Sequence, residues 1–503
     1  MARHSQLPTS GLDSSSQPLL DLLPLWTPGR GPLYRSLASA LREAIQRGQF
    51  ASGTRLPSER QLAQRLRISR TTVVAAYDVL REEDLVERRQ GSGTHVRYRA
   101  QPSPASPTSG ATYSLTRNTL FRRLTDGPDE TIDLVAAYLV SPRGLPRAML
   151  EGLEREVVEM SEGPGYAPLG HAPLRRAIAS HMSRFGLPPQ PDEVLVTSGA
   201  QQAIHLAGIL TLQHGDTVVV ENPTYPGALD AFTTAGARLA WVNTGRTGAD
   251  VEAIDALAVR LNPRLVYVIS TFQNPVGSVM PPRQRRRLAQ LSEDRQLPII
   301  DDQCLAALGL GQDEPPPPIA TFGSADAQVL TVDSISKLGW GGLRVGWVRA
   351  AEPIVARLAR LKAVTDLGGS LPGQAIARRL LESFDELRAD RRALLQERFE
   401  LVSGWLGKLL PTWSWERPQG GLCLWVRLPS GTAAEFAQVA LRHGVSVVPG
   451  PVASPDGSFA DYLRLPFGHQ PAALEEGLRR LATAWAAYEP GQGPRGQSLE
   501  VIV

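Results

Sequence analysis

Cysteine, lysine and long apolar runs are scarce in this chain of 503 residues. The only two cysteines, Cys304 and Cys423, are too few for a disulfide framework or a zinc-ribbon cluster, and they fit a reducing cytosol. No apolar run approaches the roughly 18 residues that a membrane span needs, and the N-terminus lacks the apolar stretch of a secretory signal. We therefore expect a cytoplasmic protein with no metal site and no membrane segment.

The charge is distributed unevenly along the chain. The net charge is +3, but residues 1–100 contain fifteen arginines against nine aspartates and glutamates, which makes this part +6 and the remainder −3. With 42 % hydrophobic and 20 % charged residues, the chain can bury a sizeable core, which excludes global disorder. The basic N-terminal part predicts a polyanionic partner for that part alone.

Composition and periodicity divide the chain into five predicted segments. They are an N-terminal tail (1–30), a small α/β unit (31–98), a Pro/Ser-rich linker (99–114), a large domain (115–490) and a C-terminal tail (491–503). In the large domain, apolar runs of strand length alternate with amphipathic helical stretches. This alternation predicts a mostly parallel sheet covered by helices on both faces, followed by a small C-terminal α+β lobe.

The small unit has the pattern of a winged helix-turn-helix. Ser58 can cap one helix, with Glu59 in its first turn, and a short turn leads from it to a second helix that begins near Arg70. The stretch LVERRQGSGTHV then predicts two short strands around a glycine-rich turn. In such a module the second helix enters the major groove of DNA.

Four motifs carry a resemblance to the GntR-type winged helix: LPSER (56–60), SRTTV (69–73), the LxxxxLV pattern (80–86) and RRQGSGT (88–94). The alternative for each arginine is an ordinary solvated helix face. Val74 stands where some members of that family have a base-reading arginine, so the resemblance implies no DNA sequence preference. The DNA-contacting residues that it implies are Arg60, Ser69, Arg70, Thr71, Thr72 and Gly91.

One lysine stands out in the large domain. Of 53 basic residues only three are lysines, and Lys337 lies in TVDSISKLGWGGLRVGW after a strand-like run. A lysine in a Gly/Ser-rich turn can bind a phosphate or form a Schiff base. Because the chain uses arginine almost everywhere else, a lysine here indicates chemistry that needs a primary amine.

Four further fragments follow the pattern of a pyridoxal 5′-phosphate (PLP) site. SGAQQA opens a helix whose N-terminus favours phosphate, and Tyr225 in ENPTYPG can stack on a flat ring. Asn274 in FQNPVG can donate to a phenolate oxygen. The run IIDD ends a strand in Asp301 and Asp302, either of which can hold a protonated pyridine nitrogen. Each fragment alone is weak, but their combination and order predict PLP as the cofactor.

Residues from about 130 to 485 resemble the fold-type I aminotransferases, in particular the alpha-aminoadipate branch. The resemblance implies a three-layer α/β/α domain in which Lys337 is the Schiff-base lysine, Tyr225 stacks on the ring, Asn274 bonds O3′ and Asp302, preferred to Asp301, pairs with the ring nitrogen. It also implies that Arg464, in DYLRLPFG, clamps a substrate carboxylate. The implied phosphate ligands are Gly199, Ala200, Gln201, Ser334, Ser336, Arg344 and, from the partner subunit of a dimer, Tyr166.

A GntR-like winged helix joined to an aminotransferase-like domain is the arrangement of MocR-type (GabR- and PdxR-like) regulators, which form head-to-tail homodimers. The resemblance implies a PLP-dependent, DNA-binding transcriptional regulator that senses PLP, an amine or an amino acid as an external aldimine. Many family enzymes have a tyrosine where this chain has Leu305, which favours sensing over turnover. Two alternatives stay open: an active aminotransferase with an autoregulatory DNA-binding domain, and a DNA-binding protein whose large domain only dimerises.

Overall fold

The computed structural model describes residues 33–34, 37–38, 41–42, 55–66, 68–82, 85–89, 93–96, 131–139, 145–311 and 313–490. Its contacts divide the chain into two compact units, residues 1–113 and 114–503. The division falls inside the predicted linker. Within the described residues, no helix is long and apolar enough to cross a membrane.

The first unit is a winged helix. Its elements are α1 (Glu59–Leu66), α2 (Arg70–Glu82), β1 (Val86–Arg89) and β2 (Gly93–Val96), besides helical residues at 33–34, 37–38 and 41–42. Ser58 caps α1 as predicted, because its Oγ accepts from the Gln61 amide at 3.3 Å while the Gln61 side chain accepts from the Ser58 amide at 3.0 Å. Strands β1 and β2 pair antiparallel and form the wing. Buried side chains such as Leu62, Val73 and Leu80 fill the core.

The second unit is built on an eight-stranded sheet in the order β4-β11-β10-β9-β8-β5-β6-β7. The strands from β10 to β6 pair parallel, whereas β11 pairs antiparallel with both β10 and β4. The bounds are β4 (Val194–Thr197), β5 (Thr217–Asn222), β6 (Arg238–Gly245), β7 (Gly248–Ala249), β8 (Leu265–Val268), β9 (Ile299–Asp302), β10 (Val329–Ser334) and β11 (Gly346–Arg349).

Helices cover both faces of this sheet. Successive residues of a strand point to opposite faces, so Val218 and Val220 of β5 pack into one apolar cluster while Val219 packs into another. The three layers confirm the predicted α/β/α domain. The helices are α3 (Leu153–Ser161), α4 (Ala172–Ser183), α5 (Ala200–Thr211), α6 (Pro226–Thr234), α7 (Val251–Leu261), α8 (Pro282–Arg295), α9 (Glu352–Asp366), α10 (Leu371–Glu382) and α11 (Phe384–Leu409).

A small α+β lobe follows, as predicted. It holds a four-stranded sheet in the order β12-β13-β16-β15, and a separate strand, β14, pairs parallel with β3 at the start of the described part of this unit. The elements are β3 (Ile132–Asp133), β12 (Ser414–Trp415), β13 (Cys423–Arg427), α12 (Ala433–Arg442), β14 (Val445–Ser446), β15 (Val448–Pro449), β16 (Tyr462–Pro466) and α13 (Pro471–Ala486).

The topology explains where the predicted site residues meet. In a parallel sheet the carboxyl ends of the strands share one edge, where ligands commonly bind. Strands β5, β8, β9 and β10 are neighbours in this sheet. Asp302 ends β9, and the turns after β5, β8 and β10 carry Tyr225, Asn274 and Lys337. Fragments that are scattered over more than a hundred residues of sequence therefore converge on one place.

Candidate cofactor site

A cavity of about 490 Å³ lies at this edge of the sheet. Tyr166 is the one predicted cofactor residue that does not line it, because its side chain stands 69 % exposed in the loop between α3 and α4. The predicted residues that line the cavity are Gly199, Ala200, Gln201, Tyr225, Asn274, Asp302, Ser334, Ser336, Lys337, Arg344 and Arg464.

Lys337 presents its amine to the cavity wall. Its Nζ donates a hydrogen bond to the backbone carbonyl of Ala137 at 2.6 Å. Burial lowers the pKa of the ammonium group, so the neutral, nucleophilic amine is more populated than in an exposed lysine. No carboxylate among the described residues forms an ion pair with this lysine. The amine is therefore held by a neutral partner that a ligand can replace.

The two aspartates at the end of β9 have different surroundings. Asp302 lines the cavity and accepts hydrogen bonds from the Tyr267 hydroxyl at 2.8 Å and the Cys304 amide at 3.0 Å. Burial raises the pKa of its carboxyl group. Asp301 points to the other face of the strand, where it accepts from Ser270 at 2.6 Å and from the Ile319 amide at 2.8 Å. Only Asp302 can face a ring in the cavity.

One end of the cavity is formed by α5 and the turn after β10. Gly199 precedes α5 with φ of 119°, and a Cβ at this position would lie 3.1 Å from the Arg344 guanidinium. Arg344 donates to the Ser198 carbonyl at 2.5 Å, and the Ser334 hydroxyl donates to Ser336 at 2.9 Å. A helix N-terminus, a guanidinium and two hydroxyls together form a site suited to a phosphate dianion.

Arg464 lines the same cavity and contacts both Asn274 and the segment that contains Val135. Its Nε donates to the Asn274 side-chain oxygen at 3.1 Å, and its Nη1 donates to the Val135 carbonyl at 3.0 Å. The side chain is 7 % exposed, and none of the described acidic residues pairs with it. A buried guanidinium without a carboxylate partner favours a carboxylate from a ligand. The bond to Asn274 also directs the amide of that residue, which remains able to donate.

These side chains fit PLP. A helix N-terminus with a guanidinium and two hydroxyls, a carboxyl group, a side-chain amide and a primary amine all line one cavity, and these are the groups that the cofactor requires. Sequence reasoning missed Tyr267 and Cys304, which hold Asp302 in place, and Glu221, which lies buried at the end of β5. Glu221 directly precedes the Asn-Pro pair of ENPTYPG, and this position next to the motif is the sequence signal that marks it.

The predicted DNA-contacting residues lie at the start of α1 and α2. Arg60, Ser69, Arg70 and Thr71 are exposed, and the Ser69 hydroxyl caps α2 by accepting from the Thr72 amide at 3.1 Å. Gly91 lies outside the described residues. The side chains at the start of α2 are thus accessible to solvent, which a helix that enters the major groove of DNA requires.

The fold and the cavity define a class: an aminotransferase-like ligand-binding domain that shares its chain with a winged helix. Residues 140–481 match the model of aminotransferase class I and II, and residues 33–96 match that of the bacterial regulatory proteins of the gntR family. The chain belongs to the aminotransferase class I and II family and carries a gntR-type winged helix in front of it. This confirms the predicted fusion and, through the family, PLP as the cofactor.

The chain is similar both to transcriptional regulators and to aminotransferases. The uncharacterized HTH-type transcriptional regulator YdfD of Bacillus subtilis is 29 % identical over 459 residues, which cover 88 % of this chain and 94 % of the relative. The 2-aminoadipate transaminase of Thermus thermophilus is 33 % identical over 325 residues, covering 63 % and 81 %. The structure of LysN, the alpha-aminoadipate aminotransferase of Thermus thermophilus, complexed with N-(5′-phosphopyridoxyl)-L-leucine, matches with a TM-score of 0.66 and 30 % identity, covering 73 % and 94 %.

Proposed function

We propose that the protein is a PLP-dependent transcriptional regulator whose second unit senses an amino acid or amine. The observation that carries the proposal is the cavity, where a partly buried amine at Lys337 and a buried, carboxylate-free guanidinium at Arg464 lie together. The same chain carries a winged helix with an exposed basic face. Regulator relatives that share both regions along most of their length support this combination.

Each side chain has a distinct task in this proposal. When bound, PLP supplies an electrophilic carbon that reacts with primary amines. Lys337 offers the resident amine, Asp302 holds a proton on the ring nitrogen, and Asn274 donates to the ring oxygen. Arg344, Ser334 and Ser336 bind the phosphate together with the amides of residues 199–201. Arg464 binds the carboxylate of an amino-acid effector by two parallel hydrogen bonds.

The resting partners of two of these residues favour sensing. Lys337 donates to Ala137 and Arg464 donates to Val135, both of which lie in the segment of residues 131–139. This segment is the first described part of the second unit after the predicted linker. A ligand that takes both donors leaves two carbonyl groups in need of new partners, because a buried carbonyl without a donor is costly. Ligand occupancy would thereby change how the segment is held.

Leu305 also favours sensing over turnover. It lines the cavity three residues after Asp302 and packs into the apolar cluster of the small lobe. A leucine offers no hydroxyl to the ring oxygen, which leaves the amide of Asn274 for this task. With one donor fewer, the proton on the ring oxygen is held differently than in enzymes with tyrosine at this position.

A second candidate function is an active aminotransferase with a fused DNA-binding domain. The buried Arg464 favours it, because capture of a carboxylate is needed for turnover of amino acids. In either case we propose a cytoplasmic, nucleoid-associated homodimer that binds promoter DNA through Arg60, Ser69, Arg70, Thr71, Thr72 and Gly91. The exposed Tyr166 suits the role of reaching the cofactor phosphate of a partner subunit.

The test begins with the cofactor. The purified chain is loaded with PLP, reduced with borohydride and digested, and the labelled peptide is identified by mass spectrometry. We expect the label on Lys337, loss of the visible absorbance in Lys337→Ala, and retention in Lys408→Ala, which removes an exposed lysine. A label on Lys362 or Lys408 with the absorbance kept in Lys337→Ala would refute the assignment.

The same samples separate the two functions. Amino acids and amines are added one at a time, the visible spectrum is followed, and keto-acid product is assayed in the same tubes. Spectral changes without product, coupled to altered binding of a DNA duplex selected by the protein, support the regulator. Multiple turnovers favour the aminotransferase, and Arg464→Ala is expected to abolish the response to amino acids but not to simple amines.

A further inference from the structure

One carboxylate connects three parts of the winged helix. Glu59 is the first residue of α1, and its Oε1 lies 3.4 Å from an Nη of Arg88 in the wing strand β1. Its Oε2 lies 3.9 Å from an Nη of Arg70, the first residue of α2. The Glu59 side chain is only 20 % exposed, so the carboxylate is largely shielded from solvent. Glu59 thus bridges the two helices and the wing.

The two arginines are themselves exposed, with 69 % of the side chain accessible for Arg70 and 65 % for Arg88. Both can therefore turn away from Glu59 toward an external anion. Exposed ion pairs are weak and shift an equilibrium by no more than about fivefold. Glu59 can orient these guanidiniums at rest, yet phosphate groups can still draw them away.

We propose that Glu59 is a specificity-determining residue that holds Arg70 and Arg88 in the orientation for a matched DNA site and withholds them from random DNA. The inference rests on the proposed DNA-binding function. Non-specific binding relies on phosphate contacts, so the arginines must leave Glu59 to make them. In a matched site, base edges in the groove can accept hydrogen bonds from an arginine while Glu59 still orients that arginine.

Two opposite effects follow from loss of the carboxylate. Glu59→Gln frees both arginines, so affinity for random duplex is expected to rise about threefold and its log–log salt slope to steepen by about 0.9 for each phosphate contact that is added. Affinity for a matched duplex is expected to fall about threefold. Without Glu59 the two arginines are mobile in the unbound protein, so they lose more conformational entropy when they bind. The ratio of matched to random affinity therefore falls about tenfold.

The experiment uses the full chain and two duplexes: one that the wild-type protein selects from a randomised pool, and its scrambled counterpart. Affinities are measured by fluorescence anisotropy at several salt concentrations. The matched control is Asp78→Asn, which removes one negative charge from α2. Asp78 pairs with Arg81 at 2.9 Å and not with Arg70 or Arg88, so this variant tests the effect of charge alone. Glu59→Asp, which keeps the charge on a shorter arm, serves as a second variant in case Glu59→Gln folds poorly.

The outcomes separate three conclusions. A reduced ratio in Glu59→Gln, a smaller reduction in Glu59→Asp and an unchanged ratio in Asp78→Asn support the proposal. Equal effects of Glu59→Gln and Asp78→Asn show that only net charge matters and overturn it, as does an unchanged ratio in Glu59→Gln. If the wild-type protein selects no duplex over its scrambled form, the proposed function itself fails.

Discussion

Replacing Glu221 by glutamine is expected to stabilise the cofactor-free protein near neutral pH. Glu221 is fully buried at the end of β5, where its Oε2 accepts from the Ile269 amide at 2.8 Å and from the Gln273 side chain at 3.4 Å. Its Oε1 has no hydrogen-bond partner. Burial raises the pKa of this carboxyl group from 4.5 to about 8. Glutamine has the same shape as the protonated acid, so the substitution mimics the form that the fold prefers.

The magnitude follows from proton linkage. Between the unfolded pKa of 4.5 and the folded pKa of about 8, the folded protein binds more protons than the unfolded chain, so stability falls as pH rises. One pH unit corresponds to about 1.4 kcal/mol, and pH 7 lies two and a half units above 4.5, which gives a cost of about 3 kcal/mol. Glu221→Gln removes this cost, whereas near pH 4 the two proteins are expected to be equally stable.

The assay is differential scanning calorimetry of the cofactor-free protein between pH 4 and 8.5. At about 2 °C per kcal/mol for a large domain, the variant is expected to melt roughly 6 °C higher at pH 7. The control is Glu475→Gln, which makes the same substitution at an exposed carboxylate that pairs with Arg479 on α13. The reasoning is refuted if the variant melts below the wild-type protein at pH 7. It is also refuted if the difference in melting temperature between the two proteins is the same at pH 5 and at pH 8.

Two further changes test the site and the winged helix. Asp302→Asn removes the charged partner of the ring nitrogen and is expected to weaken PLP binding about 10- to 100-fold in equilibrium dialysis, whereas Asp301→Asn lowers the melting temperature with affinity intact. Equal losses of affinity in both variants would contradict this distinction. Ser58→Ala removes the cap of α1 and is expected to destabilise the first unit by about 1 kcal/mol in thermal unfolding, an effect that Ser58→Asp should not reproduce.

Local motifs were sufficient to predict much of the fold and of the site. Strands such as β5 and β10 are short apolar runs that end in polar or glycine-containing turns, and parallel strands bring such turns to one edge. Tyr225, Asn274 and Lys337 therefore could be predicted to meet from the order of their motifs alone. The cap at Ser58 and the wing were predictable for the same reason, because caps and tight hairpins depend on neighbours in sequence.

The choice between the two aspartates of β9 needed the fold. Both acids follow the same apolar run, and the sequence alone left Asp302 preferred to Asp301 by resemblance. Strand alternation sends the pair to opposite faces, but which face holds the cavity depends on how β9 is placed between β8 and β10. The bond from Tyr267 to Asp302 supplies the missing information, since it joins neighbouring strands whose pairing no local pattern specifies.

Long-range partners were beyond prediction altogether. Lys337 donates to a carbonyl 200 residues earlier in the chain, and Arg464 donates to one 329 residues earlier. A backbone carbonyl is present in every residue, so no residue type marks Ala137 or Val135 as a partner. Only the packing of residues 131–139 against the small lobe, through the pairing of β3 with β14, brings these carbonyls to the cavity. The part of the site that favours sensing is therefore determined by tertiary structure rather than by motif.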